Sequence, residues 1–147
     1  MTLTPLIELM ASRESPQQQQ EEESQKKHRE TCRMILTLSP KIRYVGIMNK
    51  FGRTLVAQLR KGVVPLFKVD EARNEFFLEA IRSRLRKNFE SSIGKTEYSF
   101  TENEKVKILI LSNEINLYYI TLDKDTDIQD LSKIIESVKK VVRPINN

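Results

Sequence analysis

Hydrophobic positions along this chain switch between a helical and a strand period, and the switches give the order of its elements. Residues 24–38 carry Cys32, Ile35 and Leu36, with Met34 beside them, as a helical stripe that Ser39-Pro40 stops. Tyr44, Val45, Ile47 and Met48 then read as a strand over 43–49, and Asn49-Lys50-Phe51-Gly52 is a turn whose glycine can take positive φ cheaply. Thr54–Leu59, with Leu55, Ala57 and Leu59 on one face, completes an antiparallel hairpin. Gly62 and Pro65 break that pattern, and Val63, Val64, Leu66 and Phe67 make an apolar connection.

The next segment is helical again. With Asp70 as its expected N-cap, residues 70–89 place Phe76, Phe77, Ala80, Ile81, Leu85 and Phe89 at spacings of three and four, a wide aromatic stripe. Ser91, Ser92 and Gly94 end it, and a three-strand meander follows. Residues 95–101 alternate Thr96, Tyr98 and Phe100 against Glu97 and Ser99, whereas 106–111 are apolar on both faces, as a strand covered on each side would be. The last strand spans 116–122. Thr126-Asp127-Ile128-Gln129 matches a capping box for a final helix of Ile128, Leu131, Ile134, Ile135, Val138, Val141 and Val142, ended by Pro144.

The reading is an α+β domain of order α-β-β-α-β-β-β-α around a five-stranded antiparallel sheet. At 147 residues and 39% apolar content the chain can fill one core. The domain is expected over 24–143, after an acidic, glutamine-rich tail at 1–23 and before a short tail at 144–147. The tail holds an apolar patch of Leu3, Leu6, Ile7, Leu9 and Met10, a candidate docking peptide, followed by Ser15-Pro16 and a Gln/Glu run with nothing to bury.

This element order resembles the roadblock and dynein-light-chain family, whose domains share the longin and profilin-like layout. The resemblance covers about residues 24–143 and implies one helix on one face of the sheet and two on the other. The stretches Cys32-Arg33-Met34-Ile35-Leu36, Ser39-Pro40-Lys41-Ile42-Arg43-Tyr44-Val45-Gly46 and Asn49-Lys50-Phe51-Gly52-Arg53 are further similar to a group of uncharacterised small proteins from ammonia-oxidising archaea. So are Leu85-Arg86-Lys87-Asn88-Phe89 and Ile93-Gly94. What the family resemblance implies is a scaffold without catalytic residues, a homodimer through the central helix and third strand, and service to a partner protein such as a small GTPase. On this chain the candidate interface is Arg82, Arg86, Lys87, Tyr98 and Phe100. Arg82 and Arg86 sit four residues apart on one ridge, so they repel unless Glu75, Glu79 or a partner offsets them.

Charge adds a second expectation. The net +5 divides into −4 over 1–23, +11 over 24–95 and −2 over 96–147. A basic first half of the domain would steer acidic partners, nucleic acid or an anionic surface among them, although no reader motif accompanies it. A third expectation is a small-ligand sensor, with Tyr44, Met48, Phe77 and Tyr119 around a pocket between sheet and helix.

Catalytic and cofactor chemistry find little support. Gly94-Lys95-Thr96 ends like a phosphate loop, but Phe89 stands where the first glycine is needed and a strand follows instead of a helix. Asp123, Asp125 and Asp127 alternate like calcium ligands, yet Ile134 occupies the position of the closing glutamate. His28 is the only histidine and Cys32 the only cysteine, so neither a multi-histidine metal site nor an internal disulfide is available. Cys32 falls on the apolar side of its helix, where a thiol behaves as a small hydrophobe. No metal, no cofactor and no enzyme activity are expected. Without an apolar run long enough to span a bilayer or a secretory leader, the protein is expected to be soluble and cytoplasmic.

Overall fold

A computed structural model describes residues 15–143; the apolar patch of Leu3–Met10 and the tail at 144–147 lie outside them. The elements come in the expected order: α1 (Pro16–Thr37), β1 (Ile42–Asn49), β2 (Thr54–Leu59), α2 (Val69–Arg86), a 3-10 turn (Lys87–Phe89) and a single turn α3 (Glu90–Ile93), then β3 (Ser99–Glu102), β4 (Val106–Ser112), β5 (Asn116–Asp123) and α4 (Ile128–Val142). All strand pairs are antiparallel and the sheet order is β2-β1-β5-β4-β3. β5 is therefore the central strand, buried along nearly its whole length.

The sheet separates two cores. On one face α1 and α4 lie side by side, with Cys32, Ile35, Ile134, Ile135, Val138 and Val142 packed on Val45, Ile47, Leu109, Leu111, Tyr118 and Ile120. On the other face α2 lies alone over a smaller cluster of Met48, Phe76, Val106, Ile108, Ile110, Leu117 and Tyr119. One helix against two is the layer arrangement that the family resemblance implied.

Four boundaries depart from the sequence reading, each for a local reason. α1 begins at Pro16, well before the expected start at residue 24. Ser15 Oγ accepts from the Gln18 backbone N–H and Gln18 Oε1 accepts from the Ser15 N–H, a full capping box, with Pro16 at the first helical position. Glutamine and glutamate are good helix formers, so residues 16–24 are helical while exposed.

The central helix starts with Lys68, not Asp70, as N-cap: Glu71 Oε1 accepts from the Lys68 N–H, while Asp70 sits in the first turn. α4 is capped by Asp127, whose Oδ1 accepts from the Asp130 N–H, one residue after the expected Thr126. Thr126 is instead buried and donates its hydroxyl to the Asp123 carbonyl. β3 is shorter than the expected 95–101, because the carbonyls of Thr96 and Glu97 are taken by the Arg143 guanidinium at the end of α4 instead of by a neighbouring strand.

Candidate interaction surfaces

The stripe on α2 is not one surface but two. Phe76 and Ala80 point at the sheet and are buried, whereas Phe77, Leu78, Leu85 and Phe89 are each about half exposed. Residues 77, 78, 81 and 85 share the opposite side of the helix, so an apolar band runs along its outer face and continues to the exposed Ile93. The wide aromatic stripe read from the sequence is thus divided between a buried side and an exposed one, with Phe76 a core ring and Phe77 a surface ring. A single helix over a sheet can bury only one side.

Arginines border this band without being free on it. Arg82 pairs at 3.3 Å with Glu79, a carboxylate that is only 5% exposed. Burial holds the Glu79 carboxyl above its ordinary range, Arg82 opposing and Glu75 reinforcing the shift. The Arg86 guanidinium lies 5.7 Å from the Phe89 ring centre, and Arg84 lies 5.6 Å from that of Phe51. Lys87 is exposed in the 3-10 turn. Of the strand candidates, Phe100 is half-buried in β3 and pairs with Leu109, while Tyr98 precedes the strand, 42% exposed, with the Lys139 ammonium 5.4 Å over its ring. Among the described residues β3 is an edge strand, with no strand beside its outer backbone groups.

Beneath the N-terminal half of α2 the packing is different. Tyr44, Phe76 and Tyr119 form an aromatic cluster: Tyr44 and Phe76 stack at 6.2 Å, and Tyr119 meets Phe76 edge-on at 4.9 Å. Gly46 makes this possible. The Tyr44 ring lies so close over it that a Cβ would come within 2.8 Å of the hydroxyl. At the hairpin tip Gly52, with φ +84°, sits against the helix backbone, where a Cβ would meet the Phe77 Cα at 2.8 Å and the Phe76 carbonyl at 3.0 Å. The turn and the ring cluster pin α2 at these points, and between the helix, β2 and the 64–67 connection a cavity of about 850 Å³ remains. Tyr44, Phe77 and Tyr119 line it, as the sensor reading expected; Met48 does not, being packed in the core beside it.

The remaining candidates are structural. The Cys32 thiol is fully buried against the Val45 carbonyl and burial pushes its pKa up to about 11, which disfavours the thiolate that a nucleophile needs. Partial burial lowers that of His28. Asp123 pairs with Arg43 at 3.2 Å and Asp127 caps α4. Among the described residues no group of three or more His, Cys, Asp or Glu side chains could hold a metal ion, and no helix is long and apolar enough to cross a membrane. The basic half is not one surface either: Arg60 turns inward to the carbonyls of Leu36, Ser39 and Ile42, closing the end of α1 onto the hairpin.

Solved structures place this architecture among known folds. The gliding protein MglB from Thermus thermophilus superposes with a TM-score of 0.61 over 82% of this chain and 91% of its own, at 11% identity. This is the roadblock/LC7 fold. A roadblock/LC7 domain from Streptomyces avermitilis matches at TM-score 0.57 and 12% identity, covering 78% of this chain and 92% of that one. A second MglB structure, described by its tetrameric arrangement, matches at 0.58 and 12% identity over 77% of this chain and 85% of its own. No family model matches the sequence, and no curated protein matches it. The likeness is one of fold, at 11–12% sequence identity.

Proposed function

We propose that this roadblock-fold protein is a non-catalytic interaction module that self-associates through the outer face of α2 and the open edge of β3, and that the assembly docks a second protein. The observation that carries this is the half-exposed band of Phe77, Leu78, Leu85 and Phe89, continued by Ile93, on an element whose inner side is already satisfied by the sheet. Contiguous apolar surface of this kind on a soluble domain marks a protein contact. Like-charge repulsion across the interface is reduced because Arg82 and Arg86 are engaged within their own chain, by Glu79 and by the Phe89 ring. The unpaired edge of β3, with Phe100 in it and Tyr98 just ahead, supplies backbone groups that a second copy can pair. A small GTPase is the partner class that the resemblance supports, and the tetrameric arrangement described for one MglB structure supports assembly.

Light scattering on the full chain at micromolar concentration is expected to give twice the monomer mass of 17.2 kDa. Leu85→Asp is expected to return it to the monomer while changing stability by no more than about 0.5 kcal/mol, since the side chain is surface-exposed in the single chain. A monomer at all concentrations, or a dimer indifferent to both Leu85→Asp and Phe100→Asp, would remove the self-association surface.

A further inference from the structure

Protein cores are close-packed, with few voids larger than a water molecule. The α2 side of this sheet carries a groove of about 850 Å³, partly open to solvent and within the range of small-molecule sites. Its walls have a definite chemistry. Tyr44, Phe51, Phe67, Phe76, Phe77 and Tyr119 all line it, six of the ten aromatic residues in the chain. Polar side chains are few, and the charged ones are all of one sign: Arg43, Arg53 and Arg73, with no aspartate or glutamate in the lining.

The three arginines are not equivalent. Arg43 is committed, pairing with Asp123 at 3.2 Å and donating to the Val64 carbonyl at 3.1 Å. Arg73 is held only by Asp70 at 4.0 Å, with both side chains mostly exposed, a pair worth little. Arg53 has no ion pair among the described residues. An aromatic groove with uncompensated guanidinium groups at its margin selects for an apolar body by burial and for a negative head by charge. The groove lies at the β2 edge of the sheet, with β1, β5 and β4 between it and β3, and meets the apolar band of α2 at Phe77.

We propose that this groove is a binding site for a small amphiphile with an apolar body and a single anionic head, either a carboxylate or a phosphate, the head held by Arg53 and Arg73. The site lies beside the self-association surface, with Phe77 common to both, while Arg53 and Arg73 lie outside the band of Leu78, Leu85 and Phe89.

The test uses the full chain, with decanoate, decyl phosphate, neutral decanol and inorganic phosphate as probes, read by calorimetry and by displacement of an anionic anilinonaphthalene dye. Decanoate or decyl phosphate is expected to bind and displace the dye, at least about tenfold more tightly than decanol. Whichever of the two binds better identifies the head. Arg53→Gln with Arg73→Gln, both exposed and without a structural role, is expected to remove that preference and leave decanol binding unchanged. Ala72→Phe, which fills the groove, is expected to weaken all three chain-bearing probes. Equal binding of decanoate and decanol, or inorganic phosphate competing as well as decyl phosphate, overturns the proposal. So does a gain in decanoate affinity on Leu6→Glu, which would make the apolar N-terminal patch the occupant.

Discussion

The two faces of one sheet have been put to different uses. Under α1 and α4 the core is larger and mainly aliphatic: Ile35, Ile120 and Val138 are fully buried, and the open volume on this side, about 560 Å³, lies between α1 and β2 among Arg29, Arg33 and Gln58. Under α2 the contacts are few, aromatic and widely spaced, and the helix stands off the sheet on Phe76, Tyr119 and Tyr44, with open volume along its first half. The core on the α1 and α4 face is the larger of the two, and the one under α2 the smaller and more open. The same strands serve both, because alternate residues of β1, β4 and β5 point to opposite sides.

That contrast can be broken by truncation. Ile120→Ala, in the central strand, is expected to cost about 3–4 kcal/mol, since its neighbours on α1 and α4 cannot collapse into the space. Phe76→Ala is expected to cost less, about 2–3 kcal/mol, at the low end for a buried phenylalanine, because its surroundings already border an open volume into which Tyr44 can shift. Urea unfolding of the two variants checks this, and a larger loss for Phe76→Ala would mean that the α2 face is the tighter of the two.

A smaller effect sharpens the picture of how α2 is held. Gly52→Ala places a methyl against the helix backbone at a residue of positive φ, and is expected to cost about 2 kcal/mol. The sign of its effect on the cavity is informative as well. Pushing the turn off Phe77 widens the groove, so affinity for the anionic dye should change in this variant even where it remains folded.

How much of this the sequence disclosed follows from what each pattern measures. Element order and the α4 stripe were legible because seven apolar positions recur at helical spacing with Asp127 ahead of them, and the doubly apolar run in β4 told of a strand with neighbours on both sides. The division of the α2 stripe was legible only in part. Periodicity registers that Phe77 and Leu85 are apolar, but only the position of the sheet and the presence or absence of a second helix decides which of them is covered. The early start of α1 is encoded in Ser15-Pro16 and Gln18, a capping signal that hydrophobic periodicity does not register because the glutamine-rich run after it offers nothing to bury. Of the candidate interface residues, Arg82 and Arg86 were placed on the correct helix, yet their partners Glu79 and Phe89 depend on side-chain positions that spacing alone suggests but does not fix. The cavity was legible in part: Tyr44, Phe77 and Tyr119 line it as the sensor reading expected, whereas Met48 packs in the core, and the part lined by the 64–67 connection depends on where that loop lies.

The smallest expected effect concerns charge at the α2 face. The Glu79 carboxyl is raised in the folded chain, first by burial, so the folded state holds its proton to higher pH than the unfolded one. The native state then binds more protons across that window, and its stability falls as pH rises from the ordinary carboxylate range through the folded titration, levelling off above it. Glu79→Gln is expected to remove this component, so that the difference in unfolding midpoint between wild type and variant changes with pH across the window and is constant above it. A difference that does not vary with pH would place Glu79 in water in the native state.

The most direct measurement of the contrast between the faces is hydrogen exchange on the full chain at low and high protein concentration. Self-association through the α2 side predicts that amides of β3 and the second half of α2 gain protection as concentration rises, while those of α1 and α4 stay as they were. Protection that is independent of concentration everywhere, or that rises on α1 and α4 instead, would contradict it.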